Sequence, residues 1–159
     1  MNKLILIAII SQIVFVCEKA SCQLTPAYQA SSVTKISDEI ISKANQGSPF
    51  YQFVLGKCYL YGRGTNKNYE EAVKWLEKSA SQKNPGALNS LGICYYNGFG
   101  VRQDFEKAVE YFKSSSDYGD SWAFLNLAVC YEKGKGVKKD LKESQILFTQ
   151  AEQRGLFRK

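Results

Sequence analysis

One stretch of the sequence occurs three times, at a fixed spacing of 36 residues. Residues 55–68 read LGKCYLYGRGTNKN, residues 91–104 read LGICYYNGFGVRQD, and residues 127–140 read LAVCYEKGKGVKKD. A leucine, a cysteine, a tyrosine and two glycines keep the same register in all three copies. Self-similarity at such a period is typical of repeat proteins, in which each unit buries its apolar face only against its neighbours. The chain is therefore predicted to be a stack of similar units.

Each copy is predicted to contain the end of one helix, a glycine loop and the cap of a second helix. Leu91 and Tyr95 have helical spacing. Gly98 suits the left-handed residue that ends a helix, and Gly100 allows a second unusual backbone angle. Asp104 is a good N-cap for the following helix. A phosphate-binding turn is disfavoured, because no strand precedes the Gly-x-Gly sequence and the third glycine of that motif is missing.

The predicted fold class is all-α. We expect a right-handed α-solenoid of helix-turn-helix repeats with three full repeats, at residues 50–85, 86–121 and 122–157, and an N-terminal capping helix. The first helix of each repeat is called the A helix, and the second is called the B helix. The A helices are predicted at residues 50–61, 85–97 and 121–133, and the B helices at residues 68–82, 104–118 and 140–154.

The segment before the repeats is predicted to cap the stack, within a repeat domain that covers residues 50–159. Residues 24–46 are expected to be helical, and Ser32–Gln46 aligns with the B helices of the repeats. We therefore interpret residues 23–49 as a degenerate half repeat that covers the end of the stack. A binding tail is the alternative interpretation.

Residues 1–22 have the features of a secretory signal peptide. Lys3 precedes an apolar run at residues 4–16, and small residues at positions 20 and 21 precede a possible cleavage before Gln23. This predicts a secreted or periplasmic protein with no membrane span after cleavage. A lipoprotein is the weaker alternative, because Lys19 occupies a position that is normally apolar in a lipobox. A retained anchor is disfavoured because the apolar run is short.

The composition excludes several kinds of chemistry. The chain of 159 residues contains no histidine, which removes Ser-His-Asp and Cys-His catalysis and the usual zinc sites. No cofactor and no metal site is predicted. The formal charge is +6, but the basic residues do not alternate with aromatic residues on one face, so nucleic acid is not an expected partner.

Lysines are concentrated in and around the third glycine loop. They are Lys133, Lys135, Lys138, Lys139 and Lys142. A solvated loop that keeps the protein soluble is the simpler interpretation. The alternative is contact with an acidic partner or an anionic envelope surface.

Cys58, Cys94 and Cys130 occupy the same position in the three A helices. Equivalent residues of neighbouring repeats are expected to lie on the order of 10 Å apart, from the usual distance between packed helices. The Cα atoms of a disulfide must lie within about 7 Å of each other. The three cysteines are therefore predicted to be small buried apolar residues with no disulfide between them. A thiolate metal site strung along the stack is disfavoured for the same reason.

The sequence of residues 91–112 resembles the Sel-one-like repeat, a relative of the tetratricopeptide repeat. The shared pattern is L-G-x-x-Y-x-x-G-x-G-V-x-x-D-x-x-K-A-V-x-Y-F, and the resemblance covers residues 50–155. It implies a stack of helical hairpins and, for most family members, an adaptor that binds other proteins. Lys83 departs from the pattern, because it replaces the glycine found at the equivalent Gly119 and Gly155.

Similarity to tetratricopeptide repeats places a partner-binding groove along the A helices. The groove-facing residues lie two before, two after, and five or six after the repeated leucine. An aromatic, aliphatic and amide mixture suits a protein or peptide partner, although several of these residues could simply pack against neighbouring helices. The positions are Phe53, Lys57, Leu60 and Tyr61 in the first repeat, Asn89, Ile93, Tyr96 and Asn97 in the second, and Leu125, Val129, Glu132 and Lys133 in the third.

Two functional hypotheses follow. The first is an exported, non-enzymatic scaffold that binds a protein or peptide partner, with an immunity or inhibitor protein against a toxic enzyme as one version. The second is an enzyme or binder of cell-wall or β-lactam compounds, implied by resemblance to a cysteine-rich bacterial branch of the family. In that branch a cysteine of each repeat pairs within its own hairpin, whereas the B helices here contain no cysteine. Because no nucleophile–base pair stands out, the scaffold is preferred.

Overall fold

The computed structural model describes residues 35–156, so the predicted signal peptide and residues 23–34 of the predicted cap lie outside this range. Within it the chain forms seven α-helices and no strand, which confirms the predicted all-α fold. The helices are α1 (Asp38–Asn45), α2 (Pro49–Tyr61), α3 (Tyr69–Ala80), α4 (Pro85–Asn97), α5 (Phe105–Asp117), α6 (Ser121–Lys133) and α7 (Leu141–Gln153).

Each helix packs mainly on its neighbours in the chain. The A helices α2, α4 and α6 form hairpins with the B helices α3, α5 and α7. The hairpins in turn stack on each other, because α3 packs on α4 and α5 packs on α6, while α1 packs on α2. This is the contact pattern of a repeat stack, in which each unit is stabilised by the next.

The ends of the helices follow the residues that the repeat places there. Gly98 has a φ of 75° and ends α4 in the left-handed conformation, where its N–H donates to the carbonyl of Cys94. Asp104 caps α5 by accepting a hydrogen bond from the backbone N–H of Lys107. The other repeats use the same devices, with Gly62 and Gly134 ending α2 and α6, and Asn68 and Asp140 capping α3 and α7.

The second glycine of each loop lies directly against the preceding repeat. A Cβ atom on Gly100 would clash with the backbone carbonyl of Tyr69, and one on Gly136 would clash with the carbonyl of Phe105. The residue between the two glycines also contacts Tyr69, because the ring of Phe99 stacks on the ring of Tyr69 with the centroids 4.7 Å apart. The second and third loops therefore lie on the first turn of the preceding B helix, and the first loop lies on residues 35 and 36, contacts that the sequence alone did not reveal.

Buried hydroxyl groups tie the two helices of a hairpin together. Ser79 on α3 donates a hydrogen bond to the carbonyl of Pro49 at the start of α2, at 2.6 Å. Ser115 on α5 donates in the same way to the carbonyl of Pro85, at 2.8 Å. In the third repeat this position is Ala151, which is also buried. These bonds satisfy polar groups inside a core that is made mostly of apolar side chains.

The N-terminal cap differs from the prediction. Residues 35–37 are not helical, and α1 begins only at Asp38, after Ser37 accepts a hydrogen bond from the N–H of Ile40. Ile36 is buried, and its N–H donates to the carbonyl of Gly64 at 2.9 Å. The predicted helix at Ser32–Gln46 is therefore wrong at residues 35–37, where the backbone bonds to the first glycine loop, and it is confirmed from Asp38 to Asn45.

The three repeated cysteines are buried in the A helices, and no disulfide joins any two of them. Burial raises the pKa of the Cys130 thiol to about 12, so this thiol stays protonated at neutral pH. The cysteines therefore pack as small apolar residues, as the sequence predicted. Lys83 adopts the left-handed conformation with a φ of 64°, so it takes the place of the missing glycine after α3.

Candidate partner-binding face

The A helices carry a stripe of half-buried and exposed side chains, which we call the A-helix face. Its residues come from positions that the sequence predicted to face a partner. They are Phe53, Lys57 and Tyr61 on α2, Asn89, Ile93, Tyr96 and Asn97 on α4, and Val129 and Lys133 on α6.

On α2 the stripe is a cation placed between two aromatic rings. Phe53, Lys57 and Tyr61 are four residues apart and lie on one side of the helix. The Nζ atom of Lys57 is 5.2 Å from the ring centroid of Phe53 and 5.8 Å from that of Tyr61. Phe53 also lies against Gly86 of α4, where a Cβ atom would overlap its ring. The rings therefore hold the ammonium group in place and fix α2 against α4.

An amide pair joins α4 to α6. The Nδ2 atom of Asn126 donates a hydrogen bond to Oδ1 of Asn89, at 2.8 Å. Asn89 was predicted to be part of the face, but Asn126 was not. The residues equivalent to Asn126 in the other repeats are Ser90 and Val54, so the repeat pattern does not identify Asn126 as a binding residue. The bond fixes the orientation of the Asn89 side chain and leaves its amide nitrogen able to donate to a bound backbone.

The C-terminal end of α4 contributes Tyr96 and Asn97. The ring of Tyr96 meets that of Phe105 edge-on, with centroids 5.1 Å apart. Burial raises the pKa of Tyr96, so its phenol is neutral at physiological pH and can both donate and accept a hydrogen bond. Asn97 donates its side-chain N–H to the carbonyl of Ile93 on the same helix, at 2.9 Å. Both side chains are therefore held in defined positions.

Two of the predicted groove residues are not on the surface. Leu125 is only 2% exposed and Leu60 only 3%, so both belong to the core. Their equivalents Asn89 and Tyr96 are half-buried. An aliphatic side chain gains more free energy by packing inward than by remaining in water, which explains why these two positions differ. Leu125 is therefore removed from the predicted binding residues.

The start of α6 adds a negative charge near this face. Asp120 caps α6 by accepting a hydrogen bond from the N–H of Trp122, and it also receives one from the hydroxyl of Ser115. Burial raises the pKa of Asp120, and these hydrogen bonds and the positive charge of Lys57 oppose the increase. Lys57 on α2 is thus electrostatically linked to the residue that caps α6.

Within residues 35–156 no grouping of cysteine, aspartate and glutamate could hold a metal ion. None of the helices in that part of the chain combines the length and apolar character required to cross a bilayer. The lysines of the third loop are exposed, and Lys135 lies over the ring of Phe105 at 4.7 Å.

Comparisons with known proteins agree with this architecture. The Sel1 repeat family model matches residues 49–84, 85–120 and 125–156, which together make up more than half of the chain. Among curated proteins, a chitin synthase regulator of Saccharomyces cerevisiae, SKT5, is 46% identical over 46 residues. That match covers 29% of this chain and 7% of the yeast protein.

Similar solved structures come from bacteria. A Sel1 repeat protein of Oxalobacter formigenes is 32% identical with a TM-score of 0.69, over 73% of this chain and 47% of that one. A protective antigen of uropathogenic Escherichia coli strains, which displays an SLR fold, is 29% identical with a TM-score of 0.73, over 78% and 27% of the two chains. The cysteine-rich protein B of Helicobacter pylori is 24% identical with a TM-score of 0.58, over 74% and 84%, and shows likeness of fold alone.

Proposed function

The chain belongs to the Sel1 repeat family, and from that membership we propose that it is a non-enzymatic scaffold that binds a protein or peptide partner on its A-helix face. Sel1 repeats generally mediate protein–protein interaction, and the family consists generally of non-catalytic scaffold proteins. The chain spans less than half of the Oxalobacter protein and a small part of the yeast regulator. The kind of partner is therefore inferred from the residues of this chain and not from those relatives.

The observation that carries the proposal is the ordered mixture of side chains on the A-helix face. Lys57 lies between two aromatic rings, and the amide pair of Asn126 and Asn89 fixes hydrogen-bonding groups on the next two repeats. Aromatic side chains supply much of the free energy at protein interfaces, and fixed amides can bind the backbone of a guest. Because these groups are already held in place, little conformational entropy is lost when a partner binds.

The proposal also includes a location and a role. Residues 1–22 support export to the periplasm or the outside of the cell, because they have the pattern of a signal peptide. An exported scaffold could act as an immunity or inhibitor protein that covers a toxic enzyme. The name of the yeast relative describes a regulator of an enzyme, chitin synthase. This supports a regulatory partner for a protein that contains such repeats.

The partner can be identified by affinity capture of the tagged mature chain from extracts of its own cells, followed by mass spectrometry. The affinity of the purified partner is then measured for the wild-type chain and for the double variant Tyr96→Ala/Asn97→Ala. We expect a loss of about 2 kcal/mol or more, which corresponds to a roughly 30-fold higher Kd. The circular dichroism signal of the helices should be unchanged.

A matched control changes two exposed residues of α5, in the variant Glu110→Ala/Lys113→Ala, and should bind with wild-type affinity. Equal affinity of the Tyr96/Asn97 variant and the wild type would show that the partner binds elsewhere. Turnover of a cell-wall or β-lactam substrate that is abolished by one substitution would instead support the enzymatic alternative and contradict the scaffold.

A further inference from the structure

The outer face of α7 differs from the equivalent faces of the inner B helices. Ile146 is 52% exposed, yet the residues at the same register in the other repeats are the exposed charged residues Lys74 and Glu110. Thr149 likewise replaces Glu77 and Lys113 at the next turn. Two charged positions have therefore become apolar or neutral on this helix. Loss of charge at the centre of an exposed patch is typical of a surface that binds another protein.

The first residue of α7 is uncovered, in contrast to its equivalents. Tyr69 at the start of α3 is covered by the stacked ring of Phe99, and Phe105 at the start of α5 by the ammonium group of Lys135. Leu141 occupies the same register at the start of α7 and is 62% exposed. The place where a following Gly-x-Gly loop would lie is therefore open to solvent.

The side of α7 that continues the stack is adapted to a polar contact. Val73 and Val109, which are buried between stacked repeats, correspond to the exposed Gln145. Gln145 and Gln150 line a shallow depression together with Leu141 and Ile146. The surface thus combines two large apolar side chains with amides that can both donate and accept hydrogen bonds.

Lysines surround this depression on the side of the third glycine loop. Lys138, Lys139 and Lys142 are exposed, and none of them forms an ion pair with another residue in the range 35–156. Lys142 replaces the glutamates found at its register in α3 and α5, so the sign of the charge is reversed here. Two acids lie close to these lysines in sequence: Asp140 accepts hydrogen bonds from the backbone at the start of α7, and Glu143 is half-buried. The rim is therefore positively charged.

We propose that the outer face of α7 is a docking site for an acidic amphipathic helix of a partner protein. Leu141 and Ile146 would contact the apolar side of the incoming helix, and the lysine rim would contact its carboxylates. This site is separate from the A-helix face and goes beyond the proposed function.

A helix fits this surface better than a lipid membrane does. Insertion into a bilayer requires a broad apolar face, whereas Gln145, Thr149 and Gln150 lie beside the two apolar residues. Their polar groups would lose hydrogen bonds in hydrocarbon, and they can keep such bonds against a helix with polar side chains.

The test uses fluorescence anisotropy with a labelled 18-residue peptide that has leucines at i, i+3, i+4 and i+7 spacing and glutamates elsewhere. The wild-type chain should bind this peptide, and a peptide with lysines in place of the glutamates should not bind. The variants Ile146→Glu and Lys142→Glu should each raise the Kd at least tenfold. Both put on α7 a residue that an inner B helix already carries, so folding should be retained, as circular dichroism can verify.

The variant Lys113→Ala on α5 is the matched control and should bind the acidic peptide as the wild type does. Equal binding by the wild type and Ile146→Glu would overturn the proposal. So would binding to vesicles of anionic phospholipid in preference to the peptide, or self-association through α7 that is lost in Ile146→Glu on sedimentation. Because the Tyr96→Ala/Asn97→Ala variant leaves α7 intact, failure at either face can be distinguished from failure at the other.

Discussion

The two glycines of each loop are required for different reasons. Gly98 has a positive φ, but a Cβ atom there would meet its nearest neighbour, Gln103, at an ordinary distance of 3.4 Å. Gly100 also has a positive φ, and in addition it leaves no space for a Cβ atom beside the backbone of Tyr69. The first glycine therefore ends a helix, and the second allows two repeats to approach each other.

This difference predicts the effects of two alanine substitutions. Gly98→Ala should destabilise the protein by about 1 kcal/mol, the usual cost of a left-handed alanine. Gly100→Ala carries the same cost, and the clash with Tyr69 should add about 1–3 kcal/mol. Urea denaturation followed by circular dichroism measures both. An equal loss of stability in the two variants would show that the loop can move away from Tyr69 without cost.

At the scale of helices, the boundaries could be predicted where a capping residue repeats. Asp104 and Gly98 recur in register, so the ends of the A helices and the starts of the B helices were correctly placed. The N-terminal segment was instead aligned with the B helices by the 36-residue spacing, with Ser32 opposite Asn68, and this extended the predicted helix over residues 35–37, which are not helical. The sequence Ser37-Asp38-Glu39 contains the better signal, an N-cap followed by two acidic residues in the first turn.

The hydroxyl groups that link helices within a hairpin give a prediction at this scale. Ser115→Ala removes the hydroxyl whose hydrogen is shared between the carbonyl of Pro85 and the carboxylate of Asp120, and should cost about 1–2 kcal/mol in the free energy of unfolding. Ser116→Ala is the control, since its hydroxyl bonds only to the carbonyl of Lys113 on the same helix. Thermal or urea unfolding compares the two variants. If both lost the same stability, the inter-helix bond would contribute nothing beyond the local one.

For the whole molecule, the 36-residue spacing was sufficient to predict an all-α repeat stack. The binding face was less predictable, because residues at one register differ in burial between repeats, as Leu125 and Asn89 do. The pair of Asn126 and Asn89 crosses repeats at positions that have no shared residue type, so no pattern marks it. Repetition therefore reveals what stabilises every unit, whereas a binding surface depends on the residues by which the units differ.

The central claim is that a protein partner binds the A-helix face, and site-specific photo-crosslinking tests it most directly. A benzoylphenylalanine is placed at Tyr96 on that face or at Tyr118, which is exposed just after α5, and the captured partner is irradiated with each variant. The account predicts a covalent adduct with the partner from position 96 and little or none from position 118. Equal crosslinking from both positions, or an adduct from position 118 alone, would contradict it.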